Sequence, residues 1–152
     1  MDIQYKNQIT PAAYNAIRQA MGWRQFHPHQ AQANIDGNTL TIAGYHGDVA
    51  IAMAGLRYNG GSMAVLNLLI RPEYQHNGIE KELMAQVFAY LQTQLQPGHS
   101  IQLDTFAPAG QEEGYQAMGF QVSTPEMRGI PMHICLSDQI AMTDQMFRQM
   151  GY

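Results

Sequence analysis

Residues 70–80 read Ile-Arg-Pro-Glu-Tyr-Gln-His-Asn-Gly-Ile-Glu, and the change of pattern across them decides the fold. Before this stretch, residues 63–70 are almost continuously apolar, as expected of a strand that is covered on both faces. After it, apolar residues recur every four positions, at Ile79, Leu83, Val87, Leu91 and Leu95. This spacing predicts an amphipathic helix that starts at Gly78 and ends before Pro97-Gly98.

The junction between this loop and the helix offers backbone donors. The first N–H groups of a helix have no internal partner, and the helix dipole adds partial positive charge, so a phosphate can bind there without Lys or Arg. Gly78 would let the backbone come close to such an anion. A glycine between a strand and a helix is also common as a simple turn, and by itself it more often has only that role.

The rest of the chain alternates between strand and helix patterns. Thr10-Pro11 opens a helix that runs to about Met21 and stops at Gly22. We expect a mixed sheet with helices on its faces and a right-handed crossover. Strands are predicted at a short extended start and at residues 39–45, 49–56, 63–70, 100–106, 120–122 and 132–136. Turns are predicted at 46–48 and 59–61. Further helices are predicted at 110–118 and 138–150.

Length and charge exclude several classes of protein. The chain has 152 residues, which suits one domain, and a formal charge of −4. Its bases form no cluster, so the sequence gives no indication of nucleic acid binding. No run of about 20 apolar residues could span a bilayer, and residues 1–6 lack the apolar core of a signal peptide, so we expect no membrane partner and a cytoplasmic protein.

The residues that most often bind metals form no complete set. His27 and His29 are separated by a proline, and the chain has a single cysteine, Cys135, in an apolar run. A zinc site needs three or four convergent ligands, so we expect no metal. Cys135 is expected to be buried and inert rather than a nucleophile.

Two motifs resemble those of the GNAT family of N-acetyltransferases. The family's cofactor loop reads Gln or Arg, two residues, Gly, one residue, Gly or Ala, and Gln75 and Gly78 match it; the preceding residues from Pro72 are also typical. Residues 115–120, Tyr-Gln-Ala-Met-Gly-Phe, are similar to a second family motif, and Gly22-Trp23 to the end of the family's first helix. The resemblance covers residues 3–136. It implies an acetyltransferase domain over residues 1–136 and a helical tail over 137–152, packed on the same domain.

The fold implied by this resemblance is of the α+β class. It has a mixed, mostly antiparallel sheet of six or seven strands, splayed at the centre, with helices on both faces. Acetyl-CoA would lie between the fourth and fifth strands. The resemblance implies cofactor contacts from the pantetheine segment Leu68, Leu69 and Ile70 and from the pyrophosphate segment Gln75, His76, Asn77, Gly78, Ile79 and Glu80.

The resemblance also implies roles at the reacting end. Tyr115 would be the general acid that protonates the coenzyme thiolate as it leaves. Trp23, Phe26 and Met132 would border the acceptor pocket. Without the resemblance, Tyr115, Trp23 and Phe26 would be interpreted as core aromatics.

The chain departs from the family pattern at three positions. Glu80 stands where the loop usually has a second small residue, Asn67 where the fourth strand often has an acid, and Gly114 where Phe usually precedes the tyrosine. A carboxylate at Glu80 would repel a bound pyrophosphate. With Asn67 no general base is evident, although a water relay to Asp104 would supply one.

Two functions follow from these patterns. The first is transfer of an acetyl group from acetyl-CoA to the primary amine of a small molecule, by direct attack in a ternary complex. The second is a degenerate, non-catalytic domain that senses acyl-CoA or serves in association. A homodimer is a further expectation.

Overall fold

A computed structural model describes residues 1–58, 62–133 and Arg148. The turn predicted at 59–61, Cys135 and the tail helix predicted at 138–150 lie outside the described residues, apart from Arg148. The chain divides into two compact units, Met1–Phe106 and Ala107–Tyr152.

The first unit contains the sheet. Its elements are β1 (Gln4–Lys6), α1 (Pro11–Ala20), α2 (Pro28–Asp36), β2 (Leu40–His46), β3 (Val49–Tyr58), β4 (Met63–Ile70), a 3₁₀ turn (Pro72–Tyr74), α3 (Ile79–Gln94) and β5 (Leu103–Asp104). The described part of the second unit contains α4 (Glu112–Ala117) and α5 (Pro125–Arg128).

The sheet has the order β1-β2-β3-β4-β5. The first three pairings are antiparallel, and β4 pairs with β5 in parallel. Only two pairs join these last strands, Met63 with Leu103 and Ala64 with Asp104, so the sheet opens beyond them. The mixed, mostly antiparallel α+β fold is confirmed, with five strands in the described residues instead of six or seven.

Two of the predicted strands need correction. Residues 120–122 form no strand, because the end of α4 ties them down: the Phe120 amide donates to the Tyr115 carbonyl oxygen at 3.2 Å, across Gly119 at φ +104°. The strand predicted at 100–106 shortens to Leu103–Asp104. Of the strand predicted at 132–136, residues 132–133 are described and are not strand.

Helices cover both faces of β3 and β4. Every residue of β3 from Ala50 to Leu56 is buried, as expected when alternate side chains both meet a covering layer. Helix α1 begins at the predicted N-cap, where the Thr10 hydroxyl accepts from the Ala13 amide at 3.1 Å. Its residues Tyr14 and Ile17 are fully buried against a cluster that includes Met53. Helix α3 covers the other face and buries its predicted stripe as far as Leu91, whereas Leu95 lies beyond the helix end.

Helix α2 is absent from the sequence-based prediction. It starts with Pro28 at the first helical position, and the Nδ1 atom of His27 accepts from the His29 amide at 3.2 Å. Only Ala31 of this helix is buried, so its sequence shows little apolar periodicity. The proline after a capping side chain was the available signal.

Candidate functional site

A gap between β4 and β5 forms the centre of the candidate site. Beyond Ala64, β4 has no strand partner on this side among the described residues. Its N–H and C=O groups on that edge therefore remain available to a ligand, apart from the Ile70 carbonyl oxygen, which accepts from Nε2 of Gln75. The predicted cofactor-binding residues Leu68, Leu69 and Ile70 lie along this part of β4.

A bulge bends β4 in the middle of the gap. Met53 pairs with Leu69 and Gly55 with Leu66, so two residues of β4 oppose one residue of β3. Asn67 is one of the two and adopts a left-handed conformation with φ +59°. Its Oδ1 atom accepts from the Tyr14 hydroxyl of α1 at 2.9 Å, which connects the bulge to the first helix.

The loop after β4 is fixed to the β2–β3 hairpin. The Arg71 amide donates to the Ile51 carbonyl and its Nε atom to the Ala50 carbonyl, both at 2.9 Å. The Tyr74 hydroxyl lies 2.8 Å from Nδ1 of His46, and the two rings meet edge to face. The loop therefore presents a defined backbone to the helix that follows.

Side-chain amides fold the loop back on itself. Nε2 of Gln75 donates to the Ile70 carbonyl at 3.1 Å, and Nδ2 of Asn77 donates to the Gln75 carbonyl at 3.0 Å. In this arrangement the Nε2 donor of Gln75 shapes the loop. Its predicted contact with a pyrophosphate stays a prediction.

The loop ends at the first backbone N–H groups of α3. His76 and Gly78 have positive φ values, +63° and +80°, and a Cβ built on Gly78 would meet no atom within 4 Å. The first helical bond runs from the Glu82 amide to the Gly78 carbonyl at 3.1 Å, so the amides of residues 79–81 precede it. Open space beside donor groups is what an anion of pyrophosphate size requires.

Acidic side chains surround this helix end. Glu80 is half-buried in the first turn of α3, and Glu82 follows two residues later. Burial, together with the negative charge of Glu82, raises the pKa of Tyr5 above its usual value. The carboxylates of Glu80 and Glu82 would each repel an anion at this helix end, in opposition to the helix dipole.

The segment between α1 and α2 carries the predicted acceptor residues Trp23 and Phe26. Asn15, which is 8% exposed, pairs with the Phe26 backbone through two hydrogen bonds of 2.9 Å. The Phe26 ring lies 6.0 Å from the Tyr14 ring, between centroids. Trp23 is half-exposed, and its ring centroid lies 5.4 Å from Cζ of Arg18.

Sequence reasoning missed the residues of α1 that organise this segment. Tyr14 and Arg18 are one helical turn apart, and the Arg18 guanidinium lies over the Phe26 ring at 4.0 Å from Cζ to the centroid. Their spacing, followed by two aromatics, was the available signal.

The remaining predicted residues belong to the second unit. Tyr115 is 4% exposed, and its ring meets that of Phe120 edge to face at 5.9 Å. Met132 is 91% exposed. Their predicted roles stay predictions.

The described residues contain neither a group of metal-binding side chains nor a membrane-spanning helix. No three of their His, Cys, Asp and Glu side chains are grouped so that they could hold a metal ion. None of the helices within residues 1–58 and 62–133 is long and apolar enough to cross a membrane.

The comparison with protein families gives one match over most of the chain. Residues 8–134 match the model of the acetyltransferase (GNAT) domain. No curated protein matches the sequence.

Solved structures share the fold at low sequence identity. A probable acetyltransferase from methicillin-resistant Staphylococcus aureus is 17% identical, with a TM-score of 0.75 over 88% of this chain and 100% of that chain. A GNAT family acetyltransferase from Streptococcus pneumoniae is 21% identical, with a TM-score of 0.63 over 90% and 98%. The enzyme AAC(6')-Iy, solved with the bisubstrate analogue CoA-S-monomethyl-acetylneamine, is 15% identical, with a TM-score of 0.61 over 90% and 98%.

Proposed function

Since the chain belongs to the GNAT family of acetyltransferases, we propose that it transfers the acetyl group of acetyl-CoA to the primary amine of a small molecule. The observation that carries this proposal is the gap between β4 and β5, because β4 continues through the loop to the first amides of α3. An extended ligand with an anionic end matches both features.

The cofactor would lie along this path. The free edge of β4 at residues 68–70 would pair with the amide groups of the pantetheine arm in the manner of a strand. The amides of residues 76–80 would hold the pyrophosphate, and Gly78 leaves the space that it needs. The residues present fit the ligand, apart from the carboxylate of Glu80.

The reaction would proceed by direct attack in a ternary complex. The neutral amine attacks the thioester carbonyl, the C–N bond forms, and the C–S bond breaks as the coenzyme thiolate leaves. Tyr115 would donate its phenolic proton to that sulfur, and the proton released by the amine would pass through solvent and restore the phenol. Tyr115 is supported as the acid by the family motif at residues 115–120.

The small-molecule character of the acceptor is supported by the segment that carries Trp23 and Phe26. Asn15 ties down the backbone of Phe26, which fixes one aromatic ring at this border. AAC(6')-Iy, which shares the fold, was solved with an analogue that joins coenzyme A to acetylneamine.

A degenerate domain that binds acyl-CoA without turnover is a second candidate. It is favoured by Glu80 at the anion-binding end of α3 and by Asn67 at the bulge, where a carboxylate base would otherwise act. Glu80 and Asn67 each depart from the family pattern, and each departure would affect catalysis more directly than it would affect the fold.

Thermal denaturation with and without acetyl-CoA tests binding, because a ligand of the native state must raise the melting temperature. An assay of thiol release over a panel of small amines then tests turnover. A raised melting temperature with release of thiol supports the transferase. A raised melting temperature with no acceptor used by the panel favours the second candidate, and no shift at millimolar acetyl-CoA would reject both.

A further inference from the structure

The Arg18 guanidinium contacts three aromatic rings at the end of α1. Its Cζ atom lies 4.0 Å from the centroid of Phe26, 5.4 Å from that of Trp23 and 6.0 Å from that of Tyr14. Its Nε atom donates to the Arg24 carbonyl at 2.8 Å. These contacts hold the guanidinium beside the Phe26 ring.

The outer edge of this guanidinium is available. Within residues 1–58 and 62–133, no carboxylate forms an ion pair with Arg18, and its two terminal nitrogens have no hydrogen-bond acceptor. A preordered guanidinium with free terminal N–H groups matches a carboxylate through two parallel hydrogen bonds.

The electrostatic field in this region also favours an anion. Arg24 adds a second positive charge to the segment that carries Arg18, and residues 3–35 contain no acidic residue. Both features favour a carboxylate as the group that Arg18 binds.

Contacts lead from Arg18 to the gap between β4 and β5. The Tyr14 ring lies beside Arg18, and the Tyr14 hydroxyl donates to Asn67 at the β4 bulge. Arg18 is thus separated from the bulge by one side chain.

We propose that Arg18 binds a carboxylate of the acceptor, so that the acceptor is an amine that also carries a carboxylate, as an amino acid does. The inference rests on the proposed function, because it assigns the acceptor side of the same site. Arg18 determines specificity for the acceptor. Asn15 positions Phe26, the aromatic residue on which Arg18 stacks.

The test compares matched acceptors and matched variants. Amino acids, the corresponding amino acid amides and diamines are assayed with the parent protein, Arg18→Met, Arg18→Lys and Arg24→Met. Met keeps an unbranched stem over Phe26, Lys keeps the charge, and Arg24→Met removes one positive charge from the same segment as a control.

We expect the parent to prefer amino acids to their amides and to diamines. Arg18→Met should lower kcat/KM for amino acids by about 10- to 100-fold, which is the loss expected for charge-assisted hydrogen bonds. The same variant should leave kcat/KM for amino acid amides unchanged. Arg18→Lys should show a smaller loss, and Arg24→Met a change of less than about 3-fold. Unchanged melting temperatures and acetyl-CoA affinities show that the variants are folded.

Calorimetric titration of N-acetylalanine and N-acetylalaninamide gives a readout that does not need turnover. Binding of N-acetylalanine alone, lost in Arg18→Met, supports the inference even if the parent releases no thiol, a result that would reject only the proposed function. The inference is overturned if the parent uses amino acids and their amides equally, or if Arg18→Met and Arg18→Lys keep the parent's preference. It is also overturned if the parent neither acetylates amino acids nor binds N-acetylalanine.

Discussion

At the scale of single residues, Glu80 is the feature of the cofactor site that the family pattern does not predict. Its carboxylate lies in the first turn of α3, where the helix dipole stabilises a negative charge as long as no phosphate is bound. Two charges about 6 Å apart at an effective dielectric constant near 20 repel by roughly 2 to 3 kcal/mol before screening.

Glu80→Ala should therefore tighten coenzyme A binding by about 1 kcal/mol at low salt, or several-fold in affinity, after screening and outward rotation. Calorimetric titration measures the gain, and dephospho-CoA, which keeps the pyrophosphate, should show the same gain. Asp36→Asn removes one negative charge at the end of α2 and serves as the control. Weaker or equal binding in Glu80→Ala would place the pyrophosphate elsewhere.

Gly78→Val should abolish binding of acetyl-CoA and leave the protein folded. A side chain would fill the open space beside the donors, and the left-handed conformation would cost about 1 kcal/mol or more of stability. Gly98→Val is a matched control, because Gly98 has φ +81° and equally open surroundings but follows α3. Loss of binding in both variants would indicate a general effect of strain.

Tyr115→Phe should lower turnover by about 10²-fold or more, with little change in the affinity for acetyl-CoA, because the proton donor is lost and the ring is kept. The assay uses an acceptor identified with the parent protein. Tyr58→Phe, at a tyrosine that is 74% exposed, is the comparison. A Tyr115→Phe variant with parental turnover would leave Tyr115 as a core aromatic only.

At the scale of elements, α2 is tied to β3 by a network around Asn38. Its Oδ1 atom accepts from Nε and Nη2 of Arg57, and its Nδ2 atom donates to the Thr41 hydroxyl. Nη2 of Arg57 also donates to the Asn34 carbonyl in α2. Asn38 lies directly over Gly55, where no side chain would fit.

Gly55→Ala should destabilise the protein by about 1 to 3 kcal/mol, because the new methyl group would lie 2.8 Å from Nδ2 of Asn38. The expected fall in melting temperature is roughly 2 to 4 °C per kcal/mol. Gly114→Ala, in α4 with open space beside it, should instead be neutral or slightly stabilising. Equal melting temperatures in the two variants would mean that the Asn38 side chain can move away from the new methyl group without loss of stability.

The elements that the sequence predicted well are those with a strong period. The stripe from Ile79 to Leu91 and the apolar run of β4 needed no information from elsewhere in the chain. Helix α2 was missed because a single buried residue leaves no stripe. The strand at 120–122 was wrong because a local hydrogen bond to the Tyr115 carbonyl competed with sheet pairing.

The site was predicted in the same uneven way. The loop motif pointed to Gly78, which adopts a left-handed conformation that favours glycine, while the binding roles of Gln75 and Gly78 stay predictions. Arg18 and Asn15 were missed, since their roles depend on how the segment at Trp23 and Phe26 folds back on α1. Such contacts follow from tertiary packing and leave no spacing rule in the sequence.

At the scale of the whole molecule, the net charge opposes a polyanionic ligand. The chain carries −4, and the loop end of α3 has Glu80 and Glu82 in its first turn. Coenzyme A is therefore expected to bind more tightly as salt rises from about 10 to 150 mM, because screening weakens the repulsion. Calorimetric titration over this range measures the slope, which should flatten in Glu80→Ala. A fall in affinity with salt would contradict this prediction. The expected homodimer stays a prediction as well.

The gap beside β4 has a consequence for the protein when it is empty. A straight strand edge with unpaired N–H and C=O groups is a template on which another chain can add a strand, and this is how ordered aggregates start. The left-handed bulge at Asn67 interrupts that edge between residues 65 and 70, so neither piece is long enough to template a continuous ladder. The same bend that lies in the candidate cleft is thus expected to limit edge-to-edge aggregation when no ligand is bound.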